Sequence, residues 1–386
     1  MKALRRVALL MDIRTAYDHG VARGIMRYAR DRSSWRLFGH GWTFNQVRDP
    51  RTWDGHGIIT RIHHPTEAHT LLALGVPVVD VCRTTPHPQV HSAANDDVEA
   101  GRLAGRHHLG NGHRHFAYCG ADIGLWSQRR RSGFAAGIGI AEERLPTFLH
   151  PDAWWRRPGR ASRALTDWLR RLPLPVAIFA GNDYIGVKLA NACAQLGLTV
   201  PDQVALVGVD NEEVLCEFAN PPLSSVPCDT ERMGYAAARL LDRLMEGGEA
   251  TPAQHIAIPP LPLVVRASSN RFTTSDAAVL AALRRIHHGG GLDLGVPEAV
   301  AATGLSRRAL ELRFRSEMGR SIHDEIIRAR LLCACQLLTT TADPIRAVAT
   351  ASGFASAPRF HQVFRTHLGM PPSDYRRRHR PERTTG

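Results

Sequence analysis

A chain of 386 residues, with 49 Lys+Arg against 36 Asp+Glu and a net charge of +13, is too long for one ordinary domain and predicts two or three. Its 44% hydrophobic and 22% charged residues suit a soluble globular protein, and no apolar run approaches the roughly 18 residues of a bilayer span. The seven cysteines, odd in number and scattered, show neither CxxC nor Cys/His zinc spacing, which fits free thiols in a reducing cytoplasm and no metal or cofactor. Lys2 and Lys188 are the only lysines. Arginine therefore carries nearly all the positive charge, which suits bidentate contacts to phosphate or guanine and equally fits codon bias.

Residues 4–11 are basic and then apolar, but Asp12 and Arg14 end the run early and no small-residue cleavage site follows, so a first strand is expected rather than a signal peptide. Further strand-length apolar runs lie at 57–60, 76–81, 116–119, 177–180 and 204–209, and helical-period stretches at 21–30, 98–109 and 184–196. Repeated βα units predict an α/β domain of parallel sheets covered by helices on both faces, with ligands at the carboxyl ends of the strands. After Arg266 the short, Ser/Thr-rich segment 267–275 reads as a linker, which sets the first domain at 1–266. Residues 276–386 read as all helix, with 17 arginines against 10 acidic residues, a surface suited to phosphate.

Within that tail a helix opened by Pro297 is followed by Gly304, where a tight turn needs positive φ, and by Ser306 as the cap of a helix over 307–317. A second copy runs from Pro344 through Gly353 to Ser356 and a helix over 357–368. Both are helix-turn-helix patterns, whose second helix enters the major groove. The candidate DNA-binding side chains are Arg307, Arg308, Arg313 and Arg315 on the first recognition helix, and Ser356, Arg359, His361, Gln362 and Arg365 on the second. Arginine and glutamine can read guanine and adenine edges, although some of these arginines are expected to hold only phosphates. Leu310, Phe314, Phe360 and Phe364 recur at core spacing, and Pro358 falls in a first helical turn, which tolerates proline. A helix over 322–338 separates the copies.

In the first domain, polar clusters follow apolar strands at Asn182-Asp183 and at Asp210-Asn211-Glu212, and a third stretch carries Trp126 and Arg130. Asp183, Asp210 and Arg130 can exchange hydrogen bonds with vicinal hydroxyls, and Trp126 can stack on a sugar face, which together suit a small polar ligand. Tyr17 and Asp18, after the first strand, are placed to reach the same cleft. Asp183 and Asp210 could instead be caps of the helices that follow them, Asp18 could simply start the first helix, and Trp126 could be ordinary core filling.

The residues Ile345, Val348, Ala349, Gly353, Phe354, Ser356, Phe360, Phe364, Gly369, Met370, Pro372, Tyr375 and Arg376 resemble the AraC/XylS-type DNA-binding signature. Residues 4–266, with Arg130, Asp183, Asp210 and the Pro222–Val226 stretch, resemble the LacI/GalR-type, periplasmic-binding-protein-like sensors. By that resemblance Arg130, Asp183 and Asp210 match effector-contacting positions, and two lobes close on a sugar. A sensor in front of two helix-turn-helix units resembles the xylose-operon-regulator (XylR) type, as do Ala16-Tyr17-Asp18, Asn211 after Asp210, and Ile322-His323. The resemblance implies a cytoplasmic, homodimeric activator whose partners are operator DNA, RNA polymerase and a sugar effector, D-xylose, with another pentose or hexose as the alternative. An enzyme is not expected, since HExxH, P-loop, GxSxG and GxGxxG motifs are missing, although Asp183 and Asp210 could form a glycosidase pair. A transport binding protein has a similar fold but no reason to carry the basic helical tail.

Overall fold

The structure is a computed structural model. It describes residues 4–11, 15–32, 35–39, 50–150, 162–247, 252–270, 274, 276–288 and 294–379, so Asp12 and Arg14 lie outside the described residues. The chain divides into two compact units, 1–106 with 115–270 and 107–114 with 271–386.

The first unit holds two parallel sheets. One has six strands in the order β11-β5-β4-β3-β1-β2, made of β1 (Arg5–Leu10), β2 (Trp35–Gly39), β3 (Gly57–Thr60), β4 (Val78–Asp80), β5 (His91–Asn95) and β11 (His255–Ile258). The other has five in the order β10-β9-β8-β6-β7, made of β6 (His115–Ala121), β7 (Thr147–His150), β8 (Val176–Ala180), β9 (Val204–Asp210) and β10 (Ser224–Pro227). The chain crosses between these lobes after β5 and after β10, and a third time when Val264 bridges Ser225.

Alternation along each strand sorts apolar side chains to opposite faces. Val7, Leu9, Ile59 and Val79 join one core with helices α1 (Ala16–Arg32) and α8 (Thr230–Met245), while Ala8, Ile58 and Val78 join another with α2 (Pro65–Leu72). In the second lobe Tyr118, Phe179, Val207 and Val209 face α3 (Asp97–Gly110) and α4 (Leu125–Ile138). Ala117, Ile178 and Leu206 face α5 (Arg163–Arg170) and α6 (Asp183–Gln195).

Two helix pairs approach at glycines. A Cβ on Gly24 of α1 would sit 1.9 Å from Glu231 O of α8, and one on Gly234 of α8 2.0 Å from Val21 O. Between α3 and α4, a Cβ on Gly101 would meet Arg130 O at 2.1 Å and one on Gly133 would meet Val98 O at 2.0 Å.

The expected boundary at residue 266 requires correction, because Ala267–Ser269 form a short 3-10 turn whose two serines are buried in the first unit. Ser268 Oγ donates to Leu206 O (2.7 Å) and accepts from Ser224 N (2.8 Å), so these hydroxyls satisfy strand-edge backbone rather than solvate a linker. Residues 271–273 and 275 of the expected linker lie outside the described residues.

The second unit contains α9 (Ala277–His288), α10 (Val296–Ala301), α11 (Arg307–Met318), α12 (Ile322–Thr340), α13 (Ile345–Ala351), α14 (Ala357–Leu368) and α15 (Pro372–His379). Ser306 caps α11 by accepting from Ala309 N, and Ser356 caps α14 by accepting from Arg359 N. Gly304 and Gly353 occupy the turns with φ of 68° and 80°. Proline sits in the first turn of α14. Helix α12 serves both copies: Ile322 and Ile326 pack with Leu310, Phe314 and Met318, whereas Leu331, Cys335 and Leu338 pack with Phe354, Phe360 and Phe364.

The contact at Gly133 is tight enough to test. Gly133→Ala must push α4 off α3, an overpacking cost of about 1–3 kcal/mol. Thermal unfolding should show a melting temperature lower by several degrees, while Ser132→Ala on the exposed neighbouring position leaves it unchanged.

Candidate functional site

The carboxyl ends of seven strands converge on a cavity of about 320 Å³ in the first unit. The segments after β1 and β3 supply Thr15, Tyr17, Arg61, His63 and His64, those after β4 supply Cys82 and Thr84, and β5 with the start of α3 supplies Asn95 and Asp97. From the other lobe come Ile123, Trp126 and Arg130 after β6, Asn182, Asp183 and Tyr184 after β8, and Asp210 with Glu212 at the end of β9. This is where an open α/β sheet exposes backbone ends and helix N-termini to a ligand.

Arg130 is the hub. Only 4% exposed, it donates from Nε to Asp97 Oδ1 (2.8 Å), from Nη1 to Gly181 O (2.7 Å) and from Nη2 toward Asp210 Oδ1 (3.4 Å), with its guanidinium over the Trp126 ring. Burial opposes its charge, yet Asp97 and Asp210 hold it firmly protonated. Asp210 has φ 104°, a backbone conformation that costs energy in a non-glycine residue and points its carboxylate at the cleft.

A second buried pair stands on the opposite lobe. Arg61 Nη1 donates to Asp18 Oδ1 (2.6 Å) and its guanidinium lies over the Tyr17 ring, 4.8 Å from the centroid. Tyr17 lines the cleft and donates to Val81 O (2.9 Å), and burial raises its pKa well above the usual value. Among the described residues, Arg61 Nε and Asn95 Oδ1 are buried cleft atoms with no hydrogen-bond partner. The lobes also touch: Ala16 N donates to Glu212 Oε2 (2.9 Å), and Leu125 N to Thr84 O (2.9 Å).

Five of the seven expected ligand residues, Tyr17, Trp126, Arg130, Asp183 and Asp210, line this cavity; Asp18 and Asn211 do not. Asp18 is 1% exposed and spends its carboxylate on Thr15 Oγ1 and Arg61. Asn211, at φ 51°, turns its Oδ1 to Arg266 Nη1 (2.9 Å). Asp183 is not the cap of α6, since Asn182 takes that role by accepting from Ile185 N. Its two oxygens accept from Ser225 Oγ (2.6 Å) and Glu212 N (2.8 Å). Arg61 and Asp97 were missed in the sequence, because neither belongs to an apolar-run-plus-polar cluster and each is identified only by its partner.

In the second unit, Arg307, Arg308, Arg313 and Arg315 are exposed on α11, and Arg359, His361, Gln362 and Arg365 on α14. Arg313 leans aside toward Asp276 Oδ2 (3.4 Å), and Ser356 is engaged as the cap of α14. In the same unit Glu325, fully buried, accepts from His287 Nε2 (2.6 Å), Arg328 Nη2 (3.0 Å) and Arg320. Burial opposes its ionisation, but the hydrogen bond from His287 and the charges of Arg328 and Arg320 hold its carboxyl down at about 2.

A XylR N-terminal domain model matches residues 6–97, a periplasmic-binding-protein-like domain model residues 106–269, and a helix-turn-helix domain model residues 299–378. The xylose operon regulatory protein of Escherichia coli K12 is 29% identical over 385 residues, 96% of both chains. That of Haemophilus influenzae is 28% identical over 391 residues, 96% of this chain and 98% of the other. A solved structure of the xylose-binding transcription activator xylR is 28% identical with a TM-score of 0.60, covering 98% of this chain and 100% of that one. Along nearly its whole length this chain is similar to the XylR-type regulators of the AraC class. It is a DNA-binding transcription regulator and not an enzyme. Among the described residues no helix of this regulator is long and apolar enough to cross a membrane.

The Asp183 carboxyl gives the cleft a pH signature. Burial first, and the neighbouring Asp210 second, push it up to about 7. A carboxyl raised in the folded state contributes stability below its unfolded pKa of about 3.8 and loses it as pH rises through about 7. The melting temperature of the unliganded protein should therefore fall between about pH 4 and pH 7 by a larger amount than that of Asp183→Asn, which cannot ionise. Parallel pH profiles for the two proteins would contradict the raised carboxyl.

Proposed function

We propose that this XylR-type regulator senses an aldopentose, D-xylose before others, in the cleft of its first unit. The observation that carries this reading is the lining itself: buried Arg61 Nε and Asn95 Oδ1 without partners, the Asp210 carboxylate, and the Trp126 and Tyr17 rings. Such unpaired polar atoms cost free energy until a polyhydroxylated ligand supplies donors and acceptors. The ring faces suit the apolar C–H face of a sugar. The likeness to xylose operon regulatory proteins along 96% of this chain supports xylose as the effector ahead of other pentoses and hexoses. Arg130, Asp210, Asn95 and Arg61 are the direct contacts in this reading, while Asp97, Asp18, Asp183 and Asn211 position them.

The exposed arginines of α11 and α14, with His361 and Gln362, contact operator DNA; Ser356 and Arg313 contribute through phosphates where they are not held by the fold. The regulator acts in the cytoplasm as a homodimer and recruits RNA polymerase to sugar-utilisation genes. Sugar can shift its activity only by binding one conformational state more tightly than another.

Calorimetric titration of the full chain with D-xylose, L-arabinose, D-ribose and D-glucose tests the effector. Saturable heat is expected with D-xylose and is expected to vanish in Asp210→Ala. Heat with another sugar alone would replace the effector and keep the cleft. Unaltered xylose binding by Asp210→Ala would remove the assigned contact.

A further inference from the structure

The first recognition helix carries a side chain whose exposure has no structural return. Leu312 of α11 is 75% exposed, although Leu310 and Phe314, two positions either side, are fully buried. At the 3.6-residue period of a helix it stands on the face opposite Leu310, Phe314 and Met318. Arg308 and Ser316 lie one turn to either side of it, and exposed Arg315 flanks it. Arg313, by contrast, leans off this face to Asp276. The centre of the basic face is thus an aliphatic side chain bordered by guanidinium groups.

We propose that Leu312 is a specificity-determining residue that packs against the C5-methyl group of a thymine in the major groove. The inference rests on the reading of α11 as a recognition helix. The flanking arginines match the phosphate charge of the groove, and Leu312 has no hydrogen-bonding group with which to read any other base edge. Thymine alone among the four bases presents a methyl in the major groove, and apolar side chains read it there. The other copy supports the assignment, because Ser356 stands where Ser306 does, which puts Gln362 of α14 at the place of Leu312. Glutamine reads adenine by bidentate hydrogen bonds, whereas leucine reads the methyl of thymine. The two recognition helices share one outward position and fill it with side chains for different bases.

The test uses the full-length protein to select duplexes from a random library and then replaces each thymine of a recovered duplex by deoxyuridine, which lacks only the methyl. At one thymine per bound chain, uracil should weaken binding by the wild type about fourfold, the worth of one buried methyl group. Leu312→Ala, at a position too exposed to disturb folding, should bind the thymine and uracil duplexes equally and keep the wild-type dependence on salt. A uracil penalty that persists in Leu312→Ala, or none at any thymine, overturns the proposal while leaving the recognition helix in place. Failure to select any duplex overturns both.

Discussion

A guanidinium taken out of water has to be matched by carboxylates and carbonyls from several chain segments at once, and Arg130 imposes that requirement on the whole second lobe. Asp97 comes from the start of α3, Gly181 from the end of β8 and Asp210 from the end of β9, so three separate segments must converge before the charge is compensated. The converged strand ends form the cleft wall. Arg61 imposes the same condition on the first lobe through Asp18, which is why Asp18 serves the cleft without facing it. Removing one member of such a buried set leaves the other uncompensated, a larger loss than the pair contributes when intact.

Convergence of this kind needs helices that can come close, and the glycines of both lobes provide the room. Gly101 and Gly133 let α3 and α4 meet backbone to backbone, and α3 carries Asp97 while α4 carries Arg130. The ion pair is short because the helices are close. On the first lobe Gly24 and Gly234 do the same for α1 and α8, whose core holds the strand that leads to Tyr17. Glu212 then reaches across to the first backbone N–H of α1, a helix terminus that favours a carboxylate, and so joins lobe to lobe through one side chain.

The parts legible in the sequence were those with a local signal. Strands such as β3 and β9 are continuous apolar runs, which buried parallel strands have to be, and the paired Gly-turn and Ser-cap patterns located α11 and α14. The edge strands were not legible: β2 (Trp35–Gly39) is only partly buried and carries Arg36, and β11 owes its place to pairing with β5. Sheet order is long-range information of the same sort. Among cleft residues, Asp210 follows its strand directly and was visible, whereas Asp97 and Arg61 are defined by partners 33 and 43 positions away. Leu312 was hidden by its own identity, since an aliphatic residue beside Leu310 reads as core until its exposure is measured.

The second unit shows how a duplicated scaffold can be made directional. Helix α12 gives its first turns to one core and its last turns to the other, while buried Glu325 fixes Arg320, Arg328 and His287 on the first copy's side only. The repeats keep their caps, their turn glycines and their left-handed C-caps at Gly319 and Gly369. Selection on packing preserves those features because the core cannot form without them. The outward positions carry no such constraint, and there Arg308 and Leu312 are replaced by Pro358 and Gln362. Two unlike outward faces on like cores give the helical unit a head and a tail, and that asymmetry resides in a few exposed side chains on a scaffold that is otherwise repeated.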